Sequence, residues 1–241
     1  MLKHPTLDRL LELGLDGMAK GFRDLAANPE SRALEHAEWL ALLVDQEVTL
    51  RQQKRFEART RTAKLRQAAT VEDVDFRKPR GLDRTLFLHL ASCDRVREHR
   101  HCLITGACGT FIACALGDKA CRENLSVLYQ RGSRLFGALA LARGDGRYAR
   151  LMRQLARVNL LILDDWGPEP LTAEQRRDLL EIVEDRYNSG SLIITSQVPV
   201  DRWYEIVGDP TLADAILDRL VDNSHRIALT GKSRRKPEAV E

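Results

Sequence analysis

The sequence predicts an α/β protein: a parallel sheet flanked by helices, preceded by a small all-helical region. Three observations carry that prediction. Short apolar runs of strand length alternate with helical patterns beyond residue 100, which implies parallel pairing with both sheet faces covered. Before that, the spacing is helical, and from Arg32 to about Ala69 there is neither proline nor glycine. With 241 residues and 44% hydrophobic content, the chain can bury a core of this kind.

The elements follow in order. Leu7, Leu10, Leu11, Met18 and Phe22 lie near helical spacing over residues 6–26, although Gly14, Gly17 and Gly21 weaken the pattern. "NPES" gives a turn and a cap, and Leu40, Leu43, Val44 and Glu47 belong to a long helix. "DFRKPRGLDR" breaks it at Pro79 and Gly81. Residues 1–78 are therefore expected to be a helical N-terminal region, 79–231 the α/β core and 232–241 a polar, disordered tail. Within the core, "CLITG", "SVLYQ", "NLLILDD" and "SLIITSQ" read as strands. "FIACALGDKACRE", "RLFGALALARG", "YARLMRQLARV" and "TAEQRRDLLEIVEDRYNSG" read as helices, the last with Thr172 as N-cap, Gln175 at the capping-box position and Gly190 near its end.

Composition removes several classes. No apolar stretch approaches the ~18–20 residues that span a bilayer. Acids interrupt the apolar part of "MLKHPTLDRLLELG", which does not read as a secretory signal. The five cysteines (Cys93, Cys102, Cys108, Cys114, Cys121) form no C-x-x-C pair and read as small buried thiols in a reducing compartment. His99 and His101 have no further partners at metal-ligand spacing. The expectation is a cytoplasmic protein with no membrane partner.

"ITGACGTFIACALG", Ile104 to Gly117, joins a branched apolar run to a glycine loop and a threonine that opens an Ala-rich helix. That is the shape of a phosphate-binding loop, whose successive N–H groups form an anion nest. About 55 residues on, "NLLILDDWG" ends an apolar run in Asp164 and Asp165. Functional groups gather beyond the carboxyl ends of parallel strands. An acid there can hold Mg²⁺ through water while its neighbour orients an attacking water. Taken alone, the same acids serve equally as a helix cap or turn residues. About 30 residues further, "IITSQ" ends another strand in polar residues. Glycine loop, acidic strand end and polar strand end, in that order, is the layout of a P-loop NTPase.

A second constellation is basic. Arg51, Lys54, Arg55, Arg59, Arg61, Lys64 and Arg66 fall within sixteen residues, opposed only by Glu57. On a helix, all but Lys64 occupy roughly 160° of arc. Such a face suits sequence-independent contact with the phosphates of double-stranded DNA. A solvated helix or a face for an acidic partner is the alternative. Aromatic interleaving is poor, which argues against stacking on single strands. Arg131 and Arg134, after the "SVLYQ" strand, are further DNA candidates.

These segments resemble the IstB-like helper ATPases of bacterial insertion sequences, a branch of the AAA+ group close to DnaC-type helicase loaders. The resemblance runs through "LDGMAKGF", "RALEHAEWLALLVDQEVTLRQQKRF" and "VEDVDFRKPRGLDR", then through "LGDKACRENLSVLYQR", "LALARGDGRYARLMRQLARVNLLILDDWGPEPLTAEQRRDLLEIVEDRY" and "TSQVPVDRWYEIVGDPTLADAILDRLVDNSHRIALTG". It implies an AAA+ P-loop core that uses ATP and Mg²⁺, with Asp164 as the metal ligand and Asp165 as the acid that polarises water. Ser196 or Gln197 would be the sensor of the γ-phosphate. Arg219 in "AILDRL" would be supplied to a neighbouring subunit's nucleotide, making hydrolysis depend on assembly into dimers or larger oligomers. By charge alone Arg219 is better read as an ordinary helix-surface arginine paired with Asp218 or Asp222. The implied partners are duplex DNA and the transposase of the same insertion sequence.

The resemblance departs at the loop. The family's pattern is G-x-x-G-x-G-K-[ST]; Gly106-Ala107-Cys108-Gly109 matches the first four positions, Thr110 the last, and the three between are absent. The lysine that places charge on the β- and γ-phosphates is therefore missing. Lys119, nine residues along a helix from Thr110, sits roughly 13 Å away at 1.5 Å per residue. ATP affinity is expected to fall beyond the millimolar range and hydrolysis to lie near background. Two other readings stand beside an ATP-dependent transposition helper: a non-hydrolysing DNA-binding module, and a helicase-loader-like adaptor in DNA replication.

Overall fold

The computed structural model describes residues 4–77 and 81–230. The chain forms two compact units, residues 1–58 and 59–241.

The first unit is helical. Helix α1 (Pro5–Glu12) and α2 (Asp16–Ala27) are separate because Gly14, at φ 68°, turns the chain between them. Helix α3 (His36–Ala63) follows after a short 3₁₀ turn. The glycines that weaken the α2 pattern have a packing role. A Cβ on Gly17 would lie 2.5 Å from Glu47 Cα, and one on Gly21 3.2 Å from the side chains of Gln46 and Leu43. Small residues thus let the two helix backbones approach closely. Glu47, nearly buried, accepts the N–H groups of Gly17 and Met18 at 2.7 and 3.1 Å, capping the start of α2 from a distant helix.

The second unit holds the sheet. After α4 (Arg84–Ala91) and the short α5 (Asp94–Arg97), β1 (His101–Thr105) leads into α6 (Gly109–Arg122). Then come β2 (Val127–Arg131), α7 (Gly132–Gly144), α8 (Tyr148–Arg157), β3 (Leu160–Asp164), α9 (Ala173–Arg186) and β4 (Ser191–Ser196). Helix α10 (Trp203–Val207), α11 (Pro210–Val221) and β5 (Ser224–Ala228) complete it. The five strands are parallel, in the order β2-β3-β4-β1-β5. Every residue of β1, β3 and β4 is buried, as a sheet covered on both faces requires. The capping box at Thr172 and Gln175 is formed and starts α9.

Two expectations are corrected. Helix α3 ends at Ala63, because Lys64 takes φ 53° in the left-handed region, so Arg66 is not on the basic helical face. The division between units falls at residue 58/59, not at 78/79. The stretch before Pro79 packs as part of the second unit: Arg59 donates to Cys121 O (2.9 Å) and Asn124 Oδ1 (2.7 Å), and Gly81 abuts Ala228 O in β5. Pro79 itself and the tail 232–241 lie outside the described residues. Strand β5 and helices α4 and α5 had no counterpart in the sequence reading.

Candidate functional site

The loop Gly106–Cys108 connects β1 to α6 at the carboxyl end of the sheet. Gly106 is at φ 94°, and a side chain there would collide with the Leu229 carbonyl, so only glycine fits. Cys108, at φ 71°, turns the chain directly into α6. Gly109 lies against Ile104 and Thr195, where a Cβ would meet atoms at 3.3 and 3.4 Å. The first turn of a helix carries backbone N–H groups with no intrahelical partner. Loop and helix start border a cavity of about 500 Å³. One wall is polar, with Thr110, Asp165, Thr195 and Gln197; another is apolar, with Val74, Phe76, Leu82 and Leu229. That pairing of a glycine loop with an apolar wall fits a phosphorylated ligand carrying a flat, weakly polar group.

Asp164, at the end of β3, is fully buried and organises the polar wall. Its Oδ1 accepts the hydroxyls of Thr110 (2.7 Å) and Thr195 (2.6 Å). Its Oδ2 accepts the Tyr129 hydroxyl (2.5 Å) from β2 and lies 3.5 Å from Arg66 Nη1. Burial, followed by the hydrogen bond to Asp164, holds the Tyr129 hydroxyl protonated well above its usual range. Magnesium was expected on Asp164 and Thr110. A carboxylate has about four lone-pair directions, and here three hydroxyls and a guanidinium approach them. As arranged, the Asp164 oxygens are taken up by these donors and cannot ligate magnesium directly without displacing one, whereas the Thr110 oxygen, which donates its proton to Asp164, keeps its lone pairs.

Asp165 sits at φ 58°, a strained setting for a non-glycine residue, held by its N–H donating to Thr195 Oγ1 at 3.0 Å. Its carboxylate forms an ion pair with Arg131 at the end of β2, with Nε at 3.0 Å. Arg131, read as a DNA contact, is thus engaged at the site. The two sensor candidates separate. Ser196 donates to Trp166 O (2.7 Å) and accepts from Val198 N–H (3.0 Å), with no bond to Asp164. Gln197 Nε2 lies 3.4 Å from Gly106 O at the head of the loop. Thr195, one residue earlier, makes the contacts to both acids. Arg219 on α11 is not among the cavity residues; it donates to Ala215 O (2.6 Å) and pairs with Glu184, not with Asp218 or Asp222.

The basic face is partly spent. Arg51 pairs with Glu47 and Lys54 with Asp16, both at 2.6 Å, while Arg59 is held by the contacts described above. Arg55, Arg61 and Arg134 are exposed and make no ion pair among the described residues. Four of the five cysteines are buried, and burial pushes the thiols of Cys102 and Cys121 up to about 11.

Sequence reasoning did not find Arg66 as a cavity residue, nor Tyr129 and Thr195 as partners of Asp164. Each is brought to the site by long-range contacts that spacing does not encode.

Comparison with known proteins agrees with this architecture. IstB-like ATP binding protein is the family that matches residues 8–241. The insertion sequence ATP-binding protein y4pL of Sinorhizobium fredii is 59% identical over 98% of this chain and 98% of its own. Among solved structures, that of DnaI superposes with a TM-score of 0.60 at 19% identity, covering 68% of this chain and 92% of that one. The DnaC helicase loader does so with 0.51 at 17%, covering 61% and 87%. At such identities the two structures establish the shared P-loop NTPase fold, while the match along nearly the entire sequence establishes the lineage: this chain belongs to the IstB-like ATP binding protein family.

Proposed function

We propose that this protein is a cytoplasmic transposition helper that binds double-stranded DNA, assembles into dimers or larger oligomers and delivers the transposase of its own insertion sequence. Its cavity takes ATP weakly, with hydrolysis near background. The observation that carries this reading is the meeting of Thr110 with Asp164 at 2.7 Å, which sets a glycine loop and an acidic strand end against one cavity. The names of the relatives, insertion sequence ATP-binding proteins, supply the biological setting. The loss of the lysine supports weak binding, since two or three charge-assisted contacts at ~1.5–3 kcal/mol each disappear.

Exposed Arg55, Arg61 and Arg134 support contact with DNA phosphates. Arg219, away from its own cavity, supports action on a neighbouring copy. The test is native mass spectrometry of the purified chain with duplex DNA, with and without ATP. Dimers or larger assemblies on DNA, diminished by Arg219→Ala, are expected. A strictly monomeric protein–DNA complex at micromolar protein refutes the assembly, and absence of any DNA complex refutes the helper reading.

A further inference from the structure

Arg66 is the one cation among the described residues that line the cavity. Three carboxylates share the lining with it, and each is engaged elsewhere. Asp73 accepts the N–H and hydroxyl of Thr70 at 2.9 and 2.8 Å; Asp75 accepts the Arg77 N–H at 3.0 Å; Asp165 is paired with Arg131. Arg66 is held differently. Its Nη1 lies 3.5 Å from Asp164, which is fully buried, while 38% of its own side chain remains exposed. A guanidinium presents five N–H donors in a planar fork, and the contacts of Arg66 to Asp164 and to the Tyr129 hydroxyl leave the remaining donors for another anion.

The placement is built in by the neighbouring residues. Lys64 ends α3 in the left-handed region, and Leu65 then fills the space left by Gly117 on α6, where a Cβ would lie 2.9 Å from Leu65 Cδ2. Arg66 follows directly and borders the same cavity as Gly109 and Thr110. A second, independent observation concerns the metal. Three hydroxyls and Arg66 already surround Asp164, so a magnesium ion held there would have to displace one of them.

Resting on the reading that a nucleotide occupies this cavity, we propose that Arg66 supplies the cation for the phosphates of a nucleoside polyphosphate, in place of the absent loop lysine and without magnesium. The planar fork matches a phosphate bidentately, and the amides at the start of α6, which borders the same cavity, add donors. Arg66 and magnesium are competing countercharges to Asp164. Occupancy by Arg66 makes the metal unnecessary for binding.

The experiment is an ATP titration of the full-length chain by ligand-observed NMR, which reads millimolar affinities, in EDTA and again in excess Mg²⁺. The wild-type chain is expected to bind ATP at least as well in EDTA as with Mg²⁺. Arg66→Gln keeps a donor for Asp164 but loses the charge and the fork; it should weaken binding in EDTA roughly ten- to hundredfold, the loss of one charge-assisted contact. Arg66→Lys, which keeps the charge alone, should fall between them and serves as the test if the glutamine variant does not fold. Arg153→Gln, at an exposed cation on α8 outside the cavity, should leave ATP binding unchanged. Wild-type binding that requires Mg²⁺, or Arg66 variants that bind ATP in EDTA as tightly as wild type, would overturn the role of Arg66 and leave the nucleotide site standing. No binding under either condition, at ATP concentrations carried well above the millimolar range, would overturn both.

Discussion

Thr195→Val is the sharpest probe of what holds the site together. Thr195 Oγ1 donates to Asp164 Oδ1 at 2.6 Å and accepts the Asp165 N–H at 3.0 Å, and the residue is 3% exposed. Valine has the same shape, so no cavity opens and the two hydrogen bonds are the main change. Losing a bond to a buried carboxylate costs ~1.5–3 kcal/mol, and leaving a backbone N–H without a partner costs ~1–3 kcal/mol more. The sum is about 2.5–6 kcal/mol, and local relaxation should bring the measured loss to about 3 kcal/mol, a large share of a domain's ~5–15 kcal/mol. Urea unfolding followed by tryptophan fluorescence is a suitable assay. Trp166 and Trp203 form a buried edge-to-face pair with ring centroids 4.4 Å apart, and Trp166 directly follows Asp165. Thr195→Ser, which keeps the hydroxyl, should lose far less. A loss below about 1 kcal/mol for Thr195→Val at an unchanged urea slope would refute the argument, since it would show that Asp164 and Asp165 are held by other means.

Other expectations concern the loop, the DNA face and acid stability. Inserting a Gly-Lys-containing segment between Gly109 and Thr110 should raise ATP affinity by at least about a hundredfold, measured by titration, because it restores the lysine and loop donors together. Neutralising Arg55 and Arg61 to glutamine should weaken binding to all duplex sequences alike and flatten the salt dependence by about two units. Arg51→Gln should do less, since Arg51 is already paired with Glu47. Burial, then Arg186 and Arg95, push the His101 imidazole from 6.5 down to about 4. Below pH 6.5 the unfolded chain therefore takes up a proton that the folded chain refuses, and stability is lost as pH falls towards 4. At pH 5 the deficit is about 2 kcal/mol. Urea unfolding at pH 7 and pH 5 should show that drop shrinking by about this amount in His101→Gln.

The strands that read clearly in the sequence are those buried on both faces. "CLITG", "NLLILDD" and "SLIITSQ" are continuous apolar runs because β1, β3 and β4 occupy the middle of the sheet. Strand β5, "SHRIA", lies at an edge, has only one fully buried residue, Ile227, and so has no apolar run to betray it. The end of α3 was equally silent, since Lys64 reverses the chain without glycine or proline. In the site, the loop and the acidic strand end were legible because each is a local pattern at a chain reversal. Their partners were not. Thr195 and Ser196 are both buried in a strand covered on both faces, so alternation alone cannot say which hydroxyl reaches Asp164. Charge was legible on the basic helix, but the pairing of Lys54 with Asp16, 38 residues away, required the fold.

The shortened loop shows how separable the fold and the phosphate chemistry are at this position. What anchors the loop lies on either side of the missing residues. Gly106 is pinned by Leu229 and donates its N–H to Ser196 O at 2.8 Å, and Gly109 is seated against Ile104 and Thr195. Beyond it, Ile112, Ala113, Cys114, Ala115 and Leu116 are buried, so the packing of α6 owes nothing to the length of the loop before it. Removing three residues between such anchors shortens the arc that would wrap a phosphate and leaves the strand–helix contact in place. The Thr110 hydroxyl still reaches Asp164, because that contact is fixed by the helix and the sheet. The absent lysine contributed charge to the cavity, not packing to the core. A site that has lost this charge but kept its frame can recover binding from any cation the frame brings close. Arg66, 3.5 Å from Asp164 and partly exposed at the cavity, is the residue so placed.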